Sequence, residues 1–246
     1  KSLFLLKKIL MINFRPLAYA KLKNKKRRLI YRSSELIKLN ELEINLIVSK
    51  LSINVYIDLR TKDELLKKGK PDSLIEAGLI WKSFPIEDNN HYFRTKNNPS
   101  FYDYYDSYRC LLELNKGTIK ALLEYLSLSF NKGCIFACYA GKDRTGIIAI
   151  ILLMSMKFSK IDIIADYIES EKYLHKGIAY FKKNWLEKGL TKEAYKQRLT
   201  PHPNTVNLLI EYIFNTYGSI WGYLEDIELE RKSYDEMLCA LKQYYY

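Results

Sequence analysis

Residues 138–146 read Cys-Tyr-Ala-Gly-Lys-Asp-Arg-Thr-Gly, and these types at this spacing suit chemistry on a phosphate ester. Cys138 stands six positions before Arg144, with small and glycine residues between them. A cysteine thiolate is a nucleophile that can form a covalent intermediate. A guanidinium offers phosphate oxygens a planar, two-pronged donor. A tight loop at a helix N-terminus aims backbone N–H groups at an anion, and the same field favours thiolate over thiol. Tyr139, Ala140, Gly141, Lys142 and Thr145 are therefore the residues expected to line a bound phosphate, with the Thr145 hydroxyl set to hydrogen-bond the sulfur. Gly141 and Gly146 allow the turn and the close approach. The leaving oxygen needs a proton. Asp143, inside the loop, is the first candidate for general acid, and its carboxylate could then activate water. Asp58, in Ile57-Asp58-Leu59-Arg60, competes with it, and a role as partner of Arg60 stands equal beside that one. Asp88, Asp103 and Asp106 rank below both.

The elements around this stretch must hold it as strand, loop and helix. Gly133-Cys134-Ile135-Phe136-Ala137 is a short apolar run that reads as a buried strand. After the loop, Ile147 to Met154 is continuously apolar and predicts a buried helix over 144–157. Further strands are expected at 26–32, 53–59 and 79–85. Helices are expected at 35–51, 62–68, 101–114, 117–130, 159–171, 204–216, 219–226 and 233–243. Thr61 and Glu64 form a capping-box pattern for the helix at 62–68. Residues 87–100 read as a polar loop, and 172–203 show no clear period. Strands alternating with helices predict an α/β fold, a central and mainly parallel sheet flanked by helices. The loop then sits at the carboxyl end of a strand, where such folds bind ligands. No repeat or low-complexity linker interrupts the chain, so residues 1–246 are expected to form a single catalytic domain.

The loop resembles the Cys-x5-Arg-Ser/Thr signature of the cysteine-dependent protein tyrosine phosphatases. Its ending is similar to that of the bacterial family whose loop reads His-Cys-x-Ala-Gly-Lys-Asp-Arg-Thr-Gly. Other segments support the likeness in order along residues 10–242: Asn13-Phe14-Arg15, Tyr31-Arg32-Ser33, Ile57-Asp58-Leu59-Arg60, Asp166-Tyr167, and Tyr217-Gly218-Ser219 with Tyr223-Leu224. The resemblance implies a protein tyrosine phosphatase-like fold and a metal-independent hydrolase with a phosphocysteine intermediate and no cofactor. Phosphotyrosine is the implied substrate, with dual specificity or phosphoinositides as extensions. Two departures matter. Pro16-Leu17-Ala18-Tyr19 replaces the family's Asp-Leu-Gly-Gly, and Ala137 stands where the family has a His that orients the loop and favours thiolate. They keep two alternatives open, a phosphatase of a small phosphate ester in a biosynthetic pathway and a phosphate-binding pseudophosphatase.

The formal charge of +12, from 40 Lys+Arg against 28 Asp+Glu, describes a surface that attracts anions. Phosphorylated proteins, small phosphate esters and an anionic membrane lipid fit it. A nucleic-acid partner is not expected, because no recognition motif accompanies the charge. The run Lys21, Lys23, Lys25, Lys26, Arg27, Arg28 is either a solvated hairpin or a membrane-facing patch. Lys142 is either a ligand for phosphate or an acidic head group, or a solvated loop charge. Tyr102, Tyr104, Tyr105 and Tyr108 are either core or the wall of a pocket. Cys110, Cys134, Cys138 and Cys239 match neither a disulfide framework nor a metal-binding pattern, which predicts a reducing compartment. Cys134 is either a small core residue or a trap for oxidised Cys138. His91, His175 and His202 are too scattered to hold a metal. No run of eighteen apolar residues predicts a membrane span. The opening stretch is too short and too charged for a signal peptide, which predicts a cytoplasmic protein and leaves export as an effector open.

Overall fold

The computed structural model describes residues 11–18, 30–88, 99–129 and 133–245. Its centre is a sheet of β1 (Arg15–Pro16), β2 (Ile30–Ser33), β3 (Val55–Asp58), β4 (Ile80–Ser83) and β5 (Cys134–Ala137). The spatial order is β1-β2-β5-β3-β4. β2, β5, β3 and β4 run parallel, and β1 lies antiparallel on the edge. Every residue of β2, β3 and β5 is buried, as expected of inner parallel strands covered on both faces.

Alternation along β5 sends its side chains to two cores. Cys134, Phe136 and Cys138 join the larger cluster, while Ile135 and Ala137 join a smaller one with Tyr31, Leu36, Ile47, Ile53 and Tyr56. The register places Ser33, Ala137 and Asp58 side by side. Three strands thus end level, and the loop at 138–142 leaves from the carboxyl edge of the middle one.

The helix that follows, α6 (Asp143–Ser155), is buried without a break from Thr145 to Ser155, so it lies inside the larger core rather than on a surface. α4 (Phe101–Leu114), α7 (Lys160–Ile168) and α12 (Ile220–Asp226) contact it directly. α11 (Pro203–Tyr217) packs on α4, and α13 (Arg231–Tyr245) packs on α5 (Lys116–Ser129). The Thr61 capping box forms as read, and it starts α2 (Lys62–Lys68).

The expected helix over 35–51 is shorter. Only α1 (Glu41–Asn45) is α-helical, and a π-turn at Leu46–Lys50 follows it. The preceding residues give their backbone donors to other segments: Ser34 N–H to Ile12 O at 3.0 Å and Glu35 N–H to Tyr139 O at 3.3 Å. A chain so engaged cannot wind into a helix. A short α3 (Asp72–Glu76) follows Pro71. The unreadable section becomes α8 (Ser170–Lys176), a 3-10 turn at Ile178–Phe181, α9 (Lys182–Glu187) and α10 (Lys192–Leu199). Each is too short to show a period. Together they bury Leu174, Phe181, Trp185 and Tyr195 against Ile12 and Ala140. The helix expected at 159–171 divides accordingly between α7 and α8. The basic run at 21–28, most of the polar loop with His91, and the first half of the expected strand at 26–32 lie outside the described residues. Among the described residues, no helix is long and apolar enough to cross a membrane.

Candidate active site

The loop from Cys138 to Lys142 is held from behind by its carbonyls. Glu35 N–H donates to Tyr139 O. Asn13 Nδ2 donates to Ala140 O at 3.2 Å and Gly141 O at 2.8 Å, and Arg32 Nη2 donates to Gly141 O at 2.9 Å. No peptide bond in the described chain is cis. In a trans peptide the N–H points opposite to the carbonyl of the same unit. Three carbonyls drawn backward therefore turn the N–H groups of Ala140, Gly141 and Lys142 to the front. Gly141 has φ +68°, and a Cβ there would lie 2.3 Å from Ser33 O. Only glycine fits between this loop and β2.

The holding side chains form one buried polar network. Asn13 adopts φ 56°, a left-handed conformation that asparagine tolerates, and its Oδ1 accepts from Arg15. Arg15 Nη2 reaches Asp166 O at 2.8 Å and Ser170 Oγ at 3.0 Å. Asp166 pairs with Arg32 at 2.5 Å and accepts Ala18 N–H at 3.0 Å. Arg15 is pushed down to about 10 by burial and by the neighbouring Arg32 charge, with Asp166 and Glu169 opposing. Two guanidinium groups are thus kept immediately behind the loop.

In front of the network, Cys138 is buried at 2% exposure on the larger-core side of β5. Arg144, on the first turn of α6, meets Glu64 of α2 through both Nη atoms, at 2.8 Å for Nη2. Its Nη1 also approaches Leu59 O at 3.4 Å. Among the described residues this leaves Nε–H and the second Nη2 proton, a side-on fork suited to two phosphate oxygens. Burial works against the Glu64 carboxylate, but the hydrogen bonds and charge of Arg144 prevail and bring it to about 2. Arg144 is raised in turn, against its own burial. Lys142 supplies the N-cap of α6 without a side-chain cap bond, so the helix entrance is left open to an anion.

The two acid candidates differ in setting. Asp143 keeps 38% of its side chain exposed, and Lys142 Nζ lies 3.4 Å from its Oδ1. Tyr108 donates to that same oxygen at 2.5 Å. Asp58 is fully buried. Arg60 holds its Oδ1 at 2.9 Å and its Oδ2 at 2.7 Å, and Trp81 Nε1 adds 3.3 Å to Oδ2. With both oxygens taken, Asp58 has the geometry of the Arg60 partner rather than of a proton donor. Lys142 matches neither reading made for it. Its Nζ is buried, bonds Arg198 O at 2.9 Å and lies 4.6 Å from the centre of the Tyr104 ring. It ties the loop to α10. Tyr139 likewise packs on this segment, edge-on to Phe181, with its hydroxyl on Asn184. Ala140 lies in the same cluster.

The expected bond from Thr145 to the sulfur is not made. Thr145 Oγ1 is buried and finds no hydrogen-bond partner among the described residues. Cys134 is a core residue, its thiol pushed up to about 12 by burial. Four extended residues span about 13 Å, whereas a disulfide needs Cα atoms within about 7 Å, so Cys134 cannot trap Cys138 directly. Among the described residues, no cluster of three or more His, Cys, Asp or Glu could hold a metal. Sequence reasoning missed the loop-holding role of Asn13, Arg15 and Arg32, although the resemblance marked their segments. It read Glu64 only as a helix cap.

The profile described as the Tyrosine phosphatase family matches residues 9–242 of the chain. No curated protein matches it.

Two outcomes follow for the loop. Asn13→Ala leaves buried carbonyls unpaired at a cost of about 1–3 kcal/mol, and Gly141→Ala, with its Cβ clash, costs at least as much. Both are expected to weaken inorganic phosphate binding, measured by calorimetry beside urea denaturation. A second test concerns pH. Glu64 is depressed from 4.5 to about 2, so its contribution to stability is complete above pH 4.5 and is lost as pH falls toward 2. Wild type should lose more stability than Glu64→Gln across that window. Parallel denaturation curves would show that the pair contributes nothing.

Proposed function

The chain belongs to the tyrosine phosphatase family and is an enzyme of that type, and from this premise we propose that it cleaves phosphate monoesters through a phosphocysteine on Cys138. The observation that carries this reading is the loop itself: a cysteine at the end of the central strand, three N–H groups turned forward by the bound carbonyls, and Arg144 with one edge open. In the first step the Cys138 thiolate attacks phosphorus. The S–P bond forms, the P–O bond to the leaving group breaks, and Asp143 gives that oxygen its proton. Arg144 and the loop N–H groups hold the equatorial oxygens, where negative charge is spread in the transition state. In the second step Asp143 takes a proton from water. The water oxygen bonds phosphorus, and the thiolate leaves. Tyr139, Ala140 and Gly141 bind phosphate through backbone, and Lys142 braces the loop through Arg198.

Phosphotyrosine in a protein is the proposed substrate, and small phosphate esters are the alternative. The family match over 9–242 also supports reading the chain as one catalytic domain. Cys138→Ser is expected to abolish release of phosphate from phenyl phosphate and from a phosphotyrosine peptide, by at least about 10⁴-fold, while chelators leave wild type unchanged. Full activity in that variant would overturn the mechanism. Wild type that binds the phosphopeptide stoichiometrically but releases no phosphate would make the loop a recognition module instead.

A further inference from the structure

We propose that Tyr108 and Tyr167 form a two-hydroxyl relay that positions Asp143 and assigns its Oδ2 as the atom that hands the proton to the leaving group. The inference rests on reading Asp143 as the general acid. Three elements converge here: Tyr108 on α4, Tyr167 on α7, and Asp143 at the first position of α6. Tyr108 Oη lies 2.5 Å from Asp143 Oδ1 and 2.7 Å from Tyr167 Oη. The two rings meet edge to face at 88°. Both tyrosines are 1% exposed, and the Tyr167 ring packs over Gly146, where an added Cβ would sit 3.4 Å away.

Proton counting fixes the direction. A phenol has one O–H, and an ionised carboxylate only accepts. Tyr108 must therefore donate to Oδ1 and receive from Tyr167. Burial holds Tyr108 well above its ordinary range and raises Tyr167 too, so both remain neutral donors. Lys142 Nζ faces the same Oδ1 from within the loop. Tyr104 lies against that ammonium, and the Arg198 carbonyl accepts from it. Among the described residues, the side-chain donors that reach the Asp143 carboxylate, Tyr108 and Lys142, thus both meet Oδ1. When Asp143 takes up a proton, that proton goes to Oδ2, and the relay stops the carboxyl from turning over about its soft terminal torsion. Tyr108 and Tyr167 are positioning residues: Tyr108 touches the acid, Tyr167 holds Tyr108, and the acid touches the substrate.

A misplaced acid harms only substrates whose leaving group needs a proton. The test is kcat/KM, which reports steps up to phosphocysteine formation, for phenyl phosphate and for 2,4-dinitrophenyl phosphate. Tyr108→Phe keeps the ring and removes the hydroxyl. It is expected to lose about tenfold on phenyl phosphate and less than about twofold on the dinitrophenyl ester. Tyr167→Phe should show the same discrimination at smaller size, and the double variant should be no worse than Tyr108→Phe, because the hydroxyls act in series. Asp143→Asn is the control for the acid itself. If it does not discriminate between the esters, the general-acid reading fails. If it discriminates and Tyr108→Phe does not, the acid stands and the relay is overturned. Equal losses on both esters in Tyr108→Phe, or multiplicative losses in the double variant, overturn it as well. Thermal denaturation of each variant separates these results from misfolding.

Discussion

The carbonyls of Tyr139, Ala140 and Gly141 are bound from outside the loop, by Glu35 N–H, Asn13 and Arg32, and the chemistry in front depends on that. A free five-residue turn would satisfy its carbonyls with water and leave its N–H groups in no fixed direction. Here peptide planarity converts each carbonyl bond into an aimed N–H on the opposite side. The holding groups are well anchored. Arg32 is fully buried and paired with Asp166, and Asp166 also takes Ala18 N–H. Removing one partner of a buried pair leaves a charge uncompensated, which costs about 3–5 kcal/mol. The network is therefore rigid, and the loop inherits that rigidity before any phosphate arrives.

The charges in front are arranged on the same principle. Glu64 takes the terminal nitrogens of Arg144 and leaves the Nε edge. A side chain as long as arginine would otherwise lose rotamer freedom on binding phosphate. Holding it beforehand moves that loss into folding. Glu64 reaches this position because the capping box at Thr61 starts α2 with its N3 residue facing the loop. One carboxylate thus closes a helix end and orients the arginine proposed to bind phosphate. Lys142 is similar in being diverted from solvent to structure, since its bond to Arg198 O brings α10 against the loop.

Local pattern made the strand, the loop and the central helix legible. β5 is a short apolar run, α6 is apolar on every side, and glycines mark the turn between them. The parallel sheet followed from alternation of strands with helices. What was not legible acts across long separations. Asn13 meets Gly141, and Arg15 meets Ser170. Nothing periodic links such positions, and isolated polar residues carry no sign of burial. The Tyr108 stripe shows the same gap. Of its four tyrosines, Tyr104 and Tyr108 are buried and Tyr102 is exposed, and only the meeting of α4, α6 and α7 turns Tyr108 toward Asp143. The segment 172–203 resisted for a different reason, since its helices are each too short to reveal an amphipathic face.

Ala137 now has a narrower meaning. Its side chain lies at 0% exposure in the smaller core, among Tyr31, Leu36, Ile47, Ile53 and Tyr56, at the position where the resemblance would place a His. The resemblance gives that His two duties, to orient the loop and to favour thiolate. The first is discharged here from the opposite side, by donors that bind the loop's carbonyls without touching residue 137. Arg144 at the front and the Arg15–Arg32 pair behind bring cationic charge to the loop, and the uncapped start of α6 adds its dipole. The loop is therefore held from behind by groups that do not involve residue 137, and the cationic charge gathered around it comes from Arg144, Arg15 and Arg32.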